Sequence, residues 1–324
     1  MTVAIVSPAR LSEPDGSSFR PLMQSEGLRA NGFTDFGLFE LSSASRFNEN
    51  DFSIIHAHQT SGLLFNNYLV DLHGVATRQF SDALKKYSFL KRRAAEYLRF
   101  PDVRKMEMRL LGNAKGIICA GESIEEFARP TGKAFLVRNC VDTSRYEICD
   151  WSSSKIAVCG PFLKTSQNRY QFEYLIRIAK AFTELSFVVI GRTDIQDLRT
   201  LHNFANIQTV GYVSNFIETL RKCSILFAPY PLFTSQGGAK TKLIEAAACG
   251  MCVVATPYAT CDFLAENTLV GEKVESLAEH LLYLVQSEDV RKSIGQSMRR
   301  YVSTNHNHLT ETRKLIRVYE EFAD

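Results

Sequence analysis

Short apolar segments alternate with helical segments along the whole chain. In the first half, a helical pattern over residues 20–31 follows the first apolar segment. The apolar segments of this half are VAIVSP, DFGLFEL, DFSIIHAH, NYLVDLHG, GIICAG and AFLVRN. Segments this apolar are typical of parallel strands that helices cover on both faces. The pattern therefore predicts an α/β fold built on parallel sheets.

The second half repeats this alternation. Its apolar segments are SKIAVCG, LSFVVIGR, NIQTVGY, SILFAPY and CVVATPY, and its helical segments cover residues 171–183, 196–204, 214–222 and 239–248. Two such series predict two doubly wound, Rossmann-like domains. The polar stretch 142–155 is the best linker, which gives domains over 1–150 and 151–303 and a helical tail over 304–324. Because ligands of doubly wound sheets bind beyond the carboxyl ends of the strands, we expect the site in a cleft between the domains.

The composition is that of an ordinary globular protein. The chain has 324 residues, 45% hydrophobic and 23% charged, which suits two domains with sizeable cores. The net charge of +3 is too balanced to indicate a nucleic-acid binder. No stretch has the roughly 18 apolar residues of a membrane helix, and the start lacks the features of a signal peptide. We therefore expect a cytoplasmic protein.

The eight cysteines are too sparse for a disulfide scaffold, although two of them form a CxxC motif. A redox pair needs an exposed helix N-terminus. Cys249 instead ends a predicted helix with Gly250 as its C-cap, and Cys252 begins an apolar run. A zinc site needs a second pair of ligands, and none is suitably spaced. We interpret the cysteines as buried free thiols in a reducing compartment.

Histidines end two of the predicted strands. His56 and His58 lie at i, i+2 spacing on one face, and His73 ends the next strand. Since a strand's carboxyl end faces the predicted cleft, we assign His73 to the site and leave open whether His56 and His58 belong to it. We expect His306 and His308 to lie on the solvated surface.

The segment GGAKTKLIEAAACGMCVVAT, residues 237–256, combines two glycines with a predicted helix start. Gly237 and Gly238 let backbone amides approach a ligand, and a helix N-terminus favours an anion. Lys242 lies in the first turn, where a cation is unfavourable without a bound anion, and Glu245 shares its face. A bound phosphate near the helix start and a hydroxylated group near Glu245 would explain this layout. A glycine loop with a surface Lys–Glu pair is the alternative.

Residues 84–99 carry six basic side chains and one acidic side chain. Apolar residues recur at helical spacing in this stretch: Leu84, Tyr87, Leu90, Ala94 and Leu98. The pattern predicts a basic amphipathic helix that contacts anionic lipid or an anionic acceptor. A solvated basic face is the alternative.

The ordered set of motifs resembles the GT-B glycosyltransferases of the group 1 (family 4) type over nearly the whole chain. DFSIIHAH resembles the family's D-x-I-H-x-H strand, VDLHG its t-x-H-G strand, GIICAGESIEEF its a-d-x-i-x-x-x-S segment, and FLVRNCVDTSRYE its v-x-N-G-V-D strand. SFVVIGR, NIQTVGYVSNFIETLRKCSILFAPY and KTKLIEAAACGMCVVAT then follow in the family's order. The resemblance implies two Rossmann-like domains that face each other across a cleft.

The resemblance also implies a nucleotide-diphosphate sugar donor, bound mainly by the domain over 151–303. The donor-binding positions that match are Gly211, Tyr212 and Val213 beside the base, Glu245 at the ribose, and Gly237 and Gly238 at the phosphates and sugar. His73 matches the histidine that faces the donor sugar. The acceptor would lie in the first domain near Gly16 and Ser17, and the last helix would pack back on that domain. Family members typically retain the anomeric configuration and need no bound metal or other cofactor.

Two motifs depart from the family pattern. Where many relatives have E-x7-E, the first glutamate is replaced by Gly237, although Gly238, Lys242 and Glu245 match the G-x-x-x-K-x-x-E pattern of a subgroup. The expected G-R-x-x-x-x-K element reads GPFLKTSQNR, with Pro161 in place of the arginine.

The altered element leaves open which cation faces the phosphates. Lys164 or Arg169 would supply it, with Lys242 sharing the role, because the leaving group develops negative charge. The departures concern activity and donor identity rather than fold.

The leading hypothesis is a retaining, metal-independent glycosyltransferase that uses a saccharide or lipid-linked acceptor. Residues 84–99 would give it a peripheral contact with the inner face of the membrane. The alternative is a degenerate, catalytically weak member that binds nucleotide or glycan, or acts as a scaffold. A sugar-nucleotide epimerase of the same fold would need paired acid and base carboxylates, and the sequence offers no clear pair.

Overall fold

The computed structural model describes residues 1–11, 18–42, 48–85, 88–163, 167–231 and 237–323. The chain divides into two compact units. Unit 1 contains Met1–Asp142, Gln236–Thr241 and His306–Asp324, and unit 2 contains Thr143–Ser235 and Lys242–Asn305. The short segment before residue 242 therefore groups with unit 1, although the helix that follows it groups with unit 2.

A six-stranded sheet in the order β2-β1-β3-β4-β5-β6 forms the centre of unit 1. The strands are β1 (Val3–Ser7), β2 (Phe36–Glu40), β3 (Ile54–His58), β4 (Leu69–Leu72), β5 (Gly116–Cys119) and β6 (Ala134–Leu136). Every described pairing is parallel. Both faces are buried, as the continuous apolar runs predict.

The helices of unit 1 are α1 (Phe19–Ala30), α2 (Ala76–Leu84), α3 (Phe89–Asn113), α4 (Glu122–Ala128) and α11 (His308–Glu321). The C-terminal helix α11 packs closely on α1. A Cβ atom added to Gly27 would lie 2.6 Å from the Thr312 side chain, so only glycine permits this approach. Leu315 and Tyr319 of α11 are buried in the core beside β1 and β5.

Unit 2 has a second parallel sheet, in the order β12-β11-β10-β7-β8-β9. Its strands are β7 (Ile156–Cys159), β8 (Phe187–Ile190), β9 (Ile207–Gly211), β10 (Ile225–Ala228), β11 (Cys252–Ala255) and β12 (Leu269–Val270). Its helices are α5 (Gln171–Ala181), α6 (Ile195–Leu201), α7 (Phe216–Leu220), α8 (Thr241–Ala248), α9 (Val274–Gln286) and α10 (Glu288–Asn305). The predicted fold class, with two doubly wound parallel sheets, is confirmed.

The expected burial of the cysteines agrees with the structure. Seven of the eight cysteines are buried, and none of them is in a disulfide. Gly250 follows α8 with φ of 70°, the left-handed conformation of a helix C-cap. Cys252 begins β11 with its side chain in the core. Burial raises the pKa of both CxxC thiols to about 12, which makes them poor nucleophiles.

Two predictions about surface segments are wrong. The basic stretch 84–99 is not one helix, because α2 ends at Leu84 and α3 begins at Phe89, with residues 86 and 87 outside the described residues. His306 and His308 are buried rather than solvated. The bridge between Val141 and Asn307 brings their polar segment against the sheet of unit 1, a tertiary contact that the local sequence does not indicate.

Candidate functional site

A buried carboxylate, Asp71, lies at the centre of a polar cluster in unit 1. It occupies the third position of β4, a strand whose other residues are apolar. Arg20 Nε donates to its Oδ1 at 2.7 Å, and Gln24 Nε2 donates to its Oδ2 at 2.8 Å. His56 Nε2 lies 3.1 Å from the same Oδ2. Arg20 and Gln24 meet one carboxylate because they are four residues apart on one face of α1. We call Asp71 and these three partners the Asp71 cluster.

The charges of this cluster balance within the protein interior. Burial alone would raise the pKa of Asp71, but Arg20, His58 and His56 hold that pKa well below its usual value. Asp71 is therefore a carboxylate at neutral pH, and Arg20 is its counter-ion. An ion pair of this kind needs further hydrogen bonds to offset the loss of hydration, and Gln24 and His56 supply them.

His73 lies directly after β4, with its side chain 13% exposed. Its Nε2 lies 2.8 Å from His58 Nδ1 and 3.8 Å from Asp71 Oδ1. Burial lowers the pKa of His73 to about 4 and that of His58 well below its usual value. Both rings are therefore neutral at pH 7. His73 can donate a hydrogen bond to a ligand or accept one from it, but it carries no charge.

His56, His58 and Asp71 also have the residue types and proximity of a metal site. Their candidate ligand atoms lie within 4.8 Å of one another. His56 and Asp71 already have partners, however. His56 Nδ1 lies 2.6 Å from the Tyr319 hydroxyl, and Asp71 pairs with Arg20. Since a metal ion would have to compete with a buried guanidinium for the carboxylate, the arrangement favours a hydrogen-bond network.

The two glycines before α8 lie against the carboxyl edge of the unit 1 sheet. Gly237 and Gly238 have φ of 76° and 69°, a left-handed conformation that side chains disfavour. A Cβ atom on Gly237 would be 2.9 Å from Ile124, and one on Gly238 would be 3.6 Å from the His73 carbonyl oxygen. Ala239 follows, and its carbonyl oxygen accepts a hydrogen bond of 2.9 Å from Asn139 Nδ2. We call residues 237, 238 and 239 the glycine loop.

Helix α8 carries the two charged residues predicted to bind the donor. Glu245 is partly buried, and burial raises its pKa to about 7, while Lys242 and Tyr146 oppose the shift. The Tyr146 hydroxyl lies 3.5 Å from Glu245 Oε1. Lys242 Nζ donates to the carbonyl oxygens of Cys159 and Gly160 at the end of β7. Lys242 thus brings a positive charge to the carboxyl end of a central strand.

The remaining predicted residues of unit 2 lie after other strands. Gly211 ends β9 with φ of 75°, and a Cβ atom there would meet nothing within 4 Å. Tyr212 follows it with 69% of its surface exposed, and the Arg192 guanidinium stacks 4.8 Å from the ring centre. Val213 is partly buried. The exposed ring of Tyr212 offers an aromatic surface on which a base could stack.

Arg169 is already paired. Its Nε and Nη2 bind the two carboxylate oxygens of Asp197 at 2.5 and 2.9 Å. A role for Arg169 toward phosphate would therefore require exchange of this partner. The predicted Lys164, Gly16 and Ser17 lie outside the described residues.

The structure brings some predicted residues together and adds others that sequence reasoning missed. His73 and Gly238 lie at one sheet edge in unit 1, and Lys242 and Glu245 lie on one helix in unit 2. The missed residues are Arg20, Gln24, Asp71, Asn139, Arg192 and Tyr319. Asp71 had a local signal, since a charged residue interrupts the apolar strand LVDL.

Comparison with known proteins points to one family. Residues 154–287, less than half of the chain, match the model of a family described as "Glycosyl transferases group 1". No curated protein matches the sequence significantly. The matched region contains Gly211, Tyr212, Val213, Lys242 and Glu245.

Solved glycosyltransferases share the fold over the whole chain. Sucrose-phosphate synthase from Thermosynechococcus elongatus superposes with a TM-score of 0.75 at 14% identity, covering 99% of this chain and 98% of that one. HepE of Anabaena, in complex with UDP-glucose, superposes with a TM-score of 0.72 at 12% identity, covering 99% of this chain and 100% of that one. WaaG, a glycosyltransferase involved in lipopolysaccharide biosynthesis, superposes with a TM-score of 0.68 at 11% identity, covering 97% of this chain and 99% of that one. The resemblance to the GT-B glycosyltransferases is confirmed at the level of the fold.

Proposed function

We propose that the protein is a retaining glycosyltransferase that moves a sugar from a nucleotide-diphosphate sugar to a hydroxyl group of a saccharide or lipid-linked acceptor. One observation carries the proposal: two left-handed glycines precede a helix whose first two turns contain Lys242 and Glu245. The family match over residues 154–287 and the fold shared with HepE, which was solved with UDP-glucose, support the same function.

The donor would bind through backbone groups and a few side chains. The glycine loop and the amino end of α8 suit the diphosphate, because helix N-termini favour anions. Glu245 accepts hydrogen bonds from the ribose hydroxyls, which favour its ionised form. Lys242 contributes positive charge as the nucleoside diphosphate leaves, together with Lys164 if that residue takes the place of the family's arginine.

His73 would bind the donor sugar as a neutral ring. With a pKa of about 4, it holds a sugar hydroxyl by a hydrogen bond without taking up a proton at neutral pH. The remaining chemistry then falls to the donor's leaving phosphate and the acceptor hydroxyl. Retention of configuration and independence of metals are part of the proposal.

The assignment of Glu245 can be tested by nucleotide binding. Glu245→Ala should weaken binding of nucleoside diphosphates by at least tenfold, because a charge-assisted hydrogen bond is lost. The protein should remain folded by circular dichroism. Glu279→Ala, which removes an exposed carboxylate on α9, is the matched control and should bind normally. Equal affinities for the Glu245 and Glu279 variants would refute the assignment.

A catalytically weak binding protein is the second candidate. The pairing of Arg169 with Asp197 favours it, because this pair neutralises one of the cations expected at the phosphates. Incubation with UDP-, GDP-, ADP- and CDP-sugars and a panel of acceptors separates the two candidates. Release of nucleoside diphosphate identifies a transferase, whereas binding without turnover on any acceptor identifies the second candidate.

We further propose a peripheral contact with an anionic membrane through α3, with the protein on the cytoplasmic side. Leu90 and Tyr97 are 79% and 83% exposed and belong to an exposed apolar stripe spaced at three, four or seven residues. The stripe comprises Leu90, Ala94, Tyr97, Pro101 and Met108. Basic residues flank it on both sides: Arg93 and Arg104 on one, and Lys91, Lys105 and Arg109 on the other. Such a face suits the lipid interface.

Vesicle binding tests this contact. Lys91→Glu combined with Arg93→Glu should abolish sedimentation with vesicles that contain anionic lipid. Arg92→Glu is the control, because Arg92 lies off the stripe and pairs with Glu96. Equal sedimentation of all three proteins would refute the contact. Within the described part of the chain, no helix is long and apolar enough to cross a membrane.

A further inference from the structure

A chain of hydrogen bonds joins the Asp71 cluster to the glycine loop. Arg20, held by Asp71 through Nε, also donates from Nη1 to Asn139 Oδ1 at 3.2 Å. Asn139 in turn donates from Nδ2 to the Ala239 carbonyl oxygen at 2.9 Å. We propose that Asn139 is a positioning residue that fixes the glycine loop for the donor. This inference rests on the proposed function, because it assigns a role to the loop that would face the diphosphate.

The chemistry of the chain fixes the direction of each bond. A guanidinium only donates, so the Asn139 side-chain oxygen must face Arg20. The amide nitrogen is then left to face the Ala239 carbonyl oxygen, which only accepts. Asp71 holds Arg20 in place from the other side, and Arg20 is only 3% exposed. The asparagine amide therefore has one favoured orientation, set by a buried ion pair.

The main chain of Asn139 is held as firmly as its side chain. His306 Nδ1 lies 2.7 Å from the Asn139 carbonyl oxygen, and burial lowers the pKa of His306 to about 4, so the neutral ring donates this bond. Val141, two residues further along the chain, forms a bridge with Asn307. Asn139 is thus a fixed point on the sheet edge from which the loop can be held.

The glycine loop needs such a fixed point. Two successive glycines have more conformational freedom than any other pair of residues, and this freedom must be lost when a ligand binds. Holding the Ala239 carbonyl also orients its peptide plane, because the N–H of a trans peptide points opposite to its C=O. If the loop is already ordered before the donor binds, binding does not include this loss of conformational entropy.

His73 depends on the same carboxylate. His73 Nε2 lies 3.8 Å from Asp71 Oδ1 and is hydrogen-bonded to His58 Nδ1. That His58 atom lies 4.0 Å from Asp71 Oδ2. Asp71 therefore supports the sugar-facing histidine on one side and, through Arg20 and Asn139, the phosphate-facing loop on the other. The buried ion pair of Asp71 and Arg20 thus fixes the position of His73 relative to the glycine loop.

Substitution of Asn139 tests the inference in the full-length protein. Asn139→Asp keeps the acceptor for Arg20 but places a carboxylate oxygen opposite the Ala239 carbonyl, and Asn139→Ala removes both bonds. Each should raise the Kd for nucleoside diphosphate and the KM for the nucleotide sugar by about tenfold, the effect of one lost hydrogen bond, with kcat changed less. Amide hydrogen exchange in residues 237–241 should become faster.

Asn31→Ala is the matched control. Asn31 also binds main-chain carbonyl groups in unit 1, those of Gly27 and Leu309, but it has no contact with the glycine loop. Its loss should lower the melting temperature without changing donor affinity or exchange in the loop. If Asn139→Ala does not fold, Asn139→Ser provides the same measurements with less volume lost.

The possible results separate this inference from the proposed function. If the Asn139 variants lose thermal stability but keep the wild-type donor affinity and loop exchange, Asn139 is only structural and the inference is wrong. If the wild-type protein binds no nucleoside diphosphate or nucleotide sugar, the proposed function fails. In that case the exchange data still show whether Asn139 orders the loop.

Discussion

The fold surrounds the two central carboxylates, Asp71 of unit 1 and Glu245 of unit 2, very differently. Asp71 is fully buried and has hydrogen-bond partners on both oxygens, including a guanidinium, so its pKa is well below the usual value. Glu245 is partly buried, has the Tyr146 hydroxyl at 3.5 Å, and has a pKa raised to about 7.

Under the proposed function, this difference distinguishes a carboxylate that supports the site from one that binds the ligand. The bonds to Asp71 are already made, so its charge stabilises the folded protein and orients its neighbours. Glu245 loses hydration in the fold without gaining full compensation, and hydroxyl groups of a ligand would supply it. Removing the first carboxylate should therefore damage the fold, whereas removing the second should damage binding.

The largest expected effect is that of Asp71→Ala. The substitution leaves the Arg20 guanidinium buried without its counter-ion, which costs about 3–5 kcal/mol of unfolding free energy. Urea unfolding followed by circular dichroism measures the loss. The single tryptophan, Trp151, belongs to unit 2, so its fluorescence reports separately on that unit.

The matched control is Asp82→Ala in α2, where the carboxylate pairs with Lys85 at the surface. Surface pairs contribute about 0–1 kcal/mol. A loss for Asp71→Ala no larger than that for Asp82→Ala would contradict the view that the Asp71 cluster stabilises unit 1.

Acid should destabilise unit 1 before it protonates Asp71. His73 and His306 have folded pKa values of about 4, against about 6.5 in the unfolded chain, so their contribution is complete above pH 6.5 and is lost as the pH falls toward 4. Within this window, each of the two histidines should lower the unfolding free energy by about 1.4 kcal/mol for every pH unit of acidification. His58 acts in the same direction.

Unfolding at several pH values between 7 and 4.5 tests this expectation. His306→Gln is a useful variant, because a glutamine can still donate to the Asn139 carbonyl but does not titrate. Its stability should depend less steeply on pH than that of the wild type. Identical slopes would show that His306 is not held neutral in the fold.

The sequence predicted most strands and the start of α8, because these depend on local hydrophobic patterns and on glycines beside a helix. It missed α9 and α10 and predicted one helix over 84–99, where α2 ends and α3 begins. The Asp71 cluster could not be predicted, because its bonds join distant segments: Arg20 and Asn139 are 119 residues apart. Likewise, the polar run NHNH indicates a surface, whereas its tertiary contacts with Val141 and Asn139 place it against the sheet.

The smallest expected effect, Glu245→Gln, has a sign opposite to that of Asp71→Ala. Because the folded pKa of Glu245 is raised, its contribution to stability is lost as the pH rises from about 4.5 through 7. The neutral glutamine should therefore stabilise unit 2 at pH 8 by up to about 3 kcal/mol and have little effect at pH 5. Trp151 fluorescence during urea unfolding measures this change in stability.

At pH 8 the same variant should bind nucleoside diphosphate more weakly than the wild type. A variant that is both less stable and unchanged in binding would show that Glu245 is a structural residue like Asp71, and the distinction between the two carboxylates would not hold.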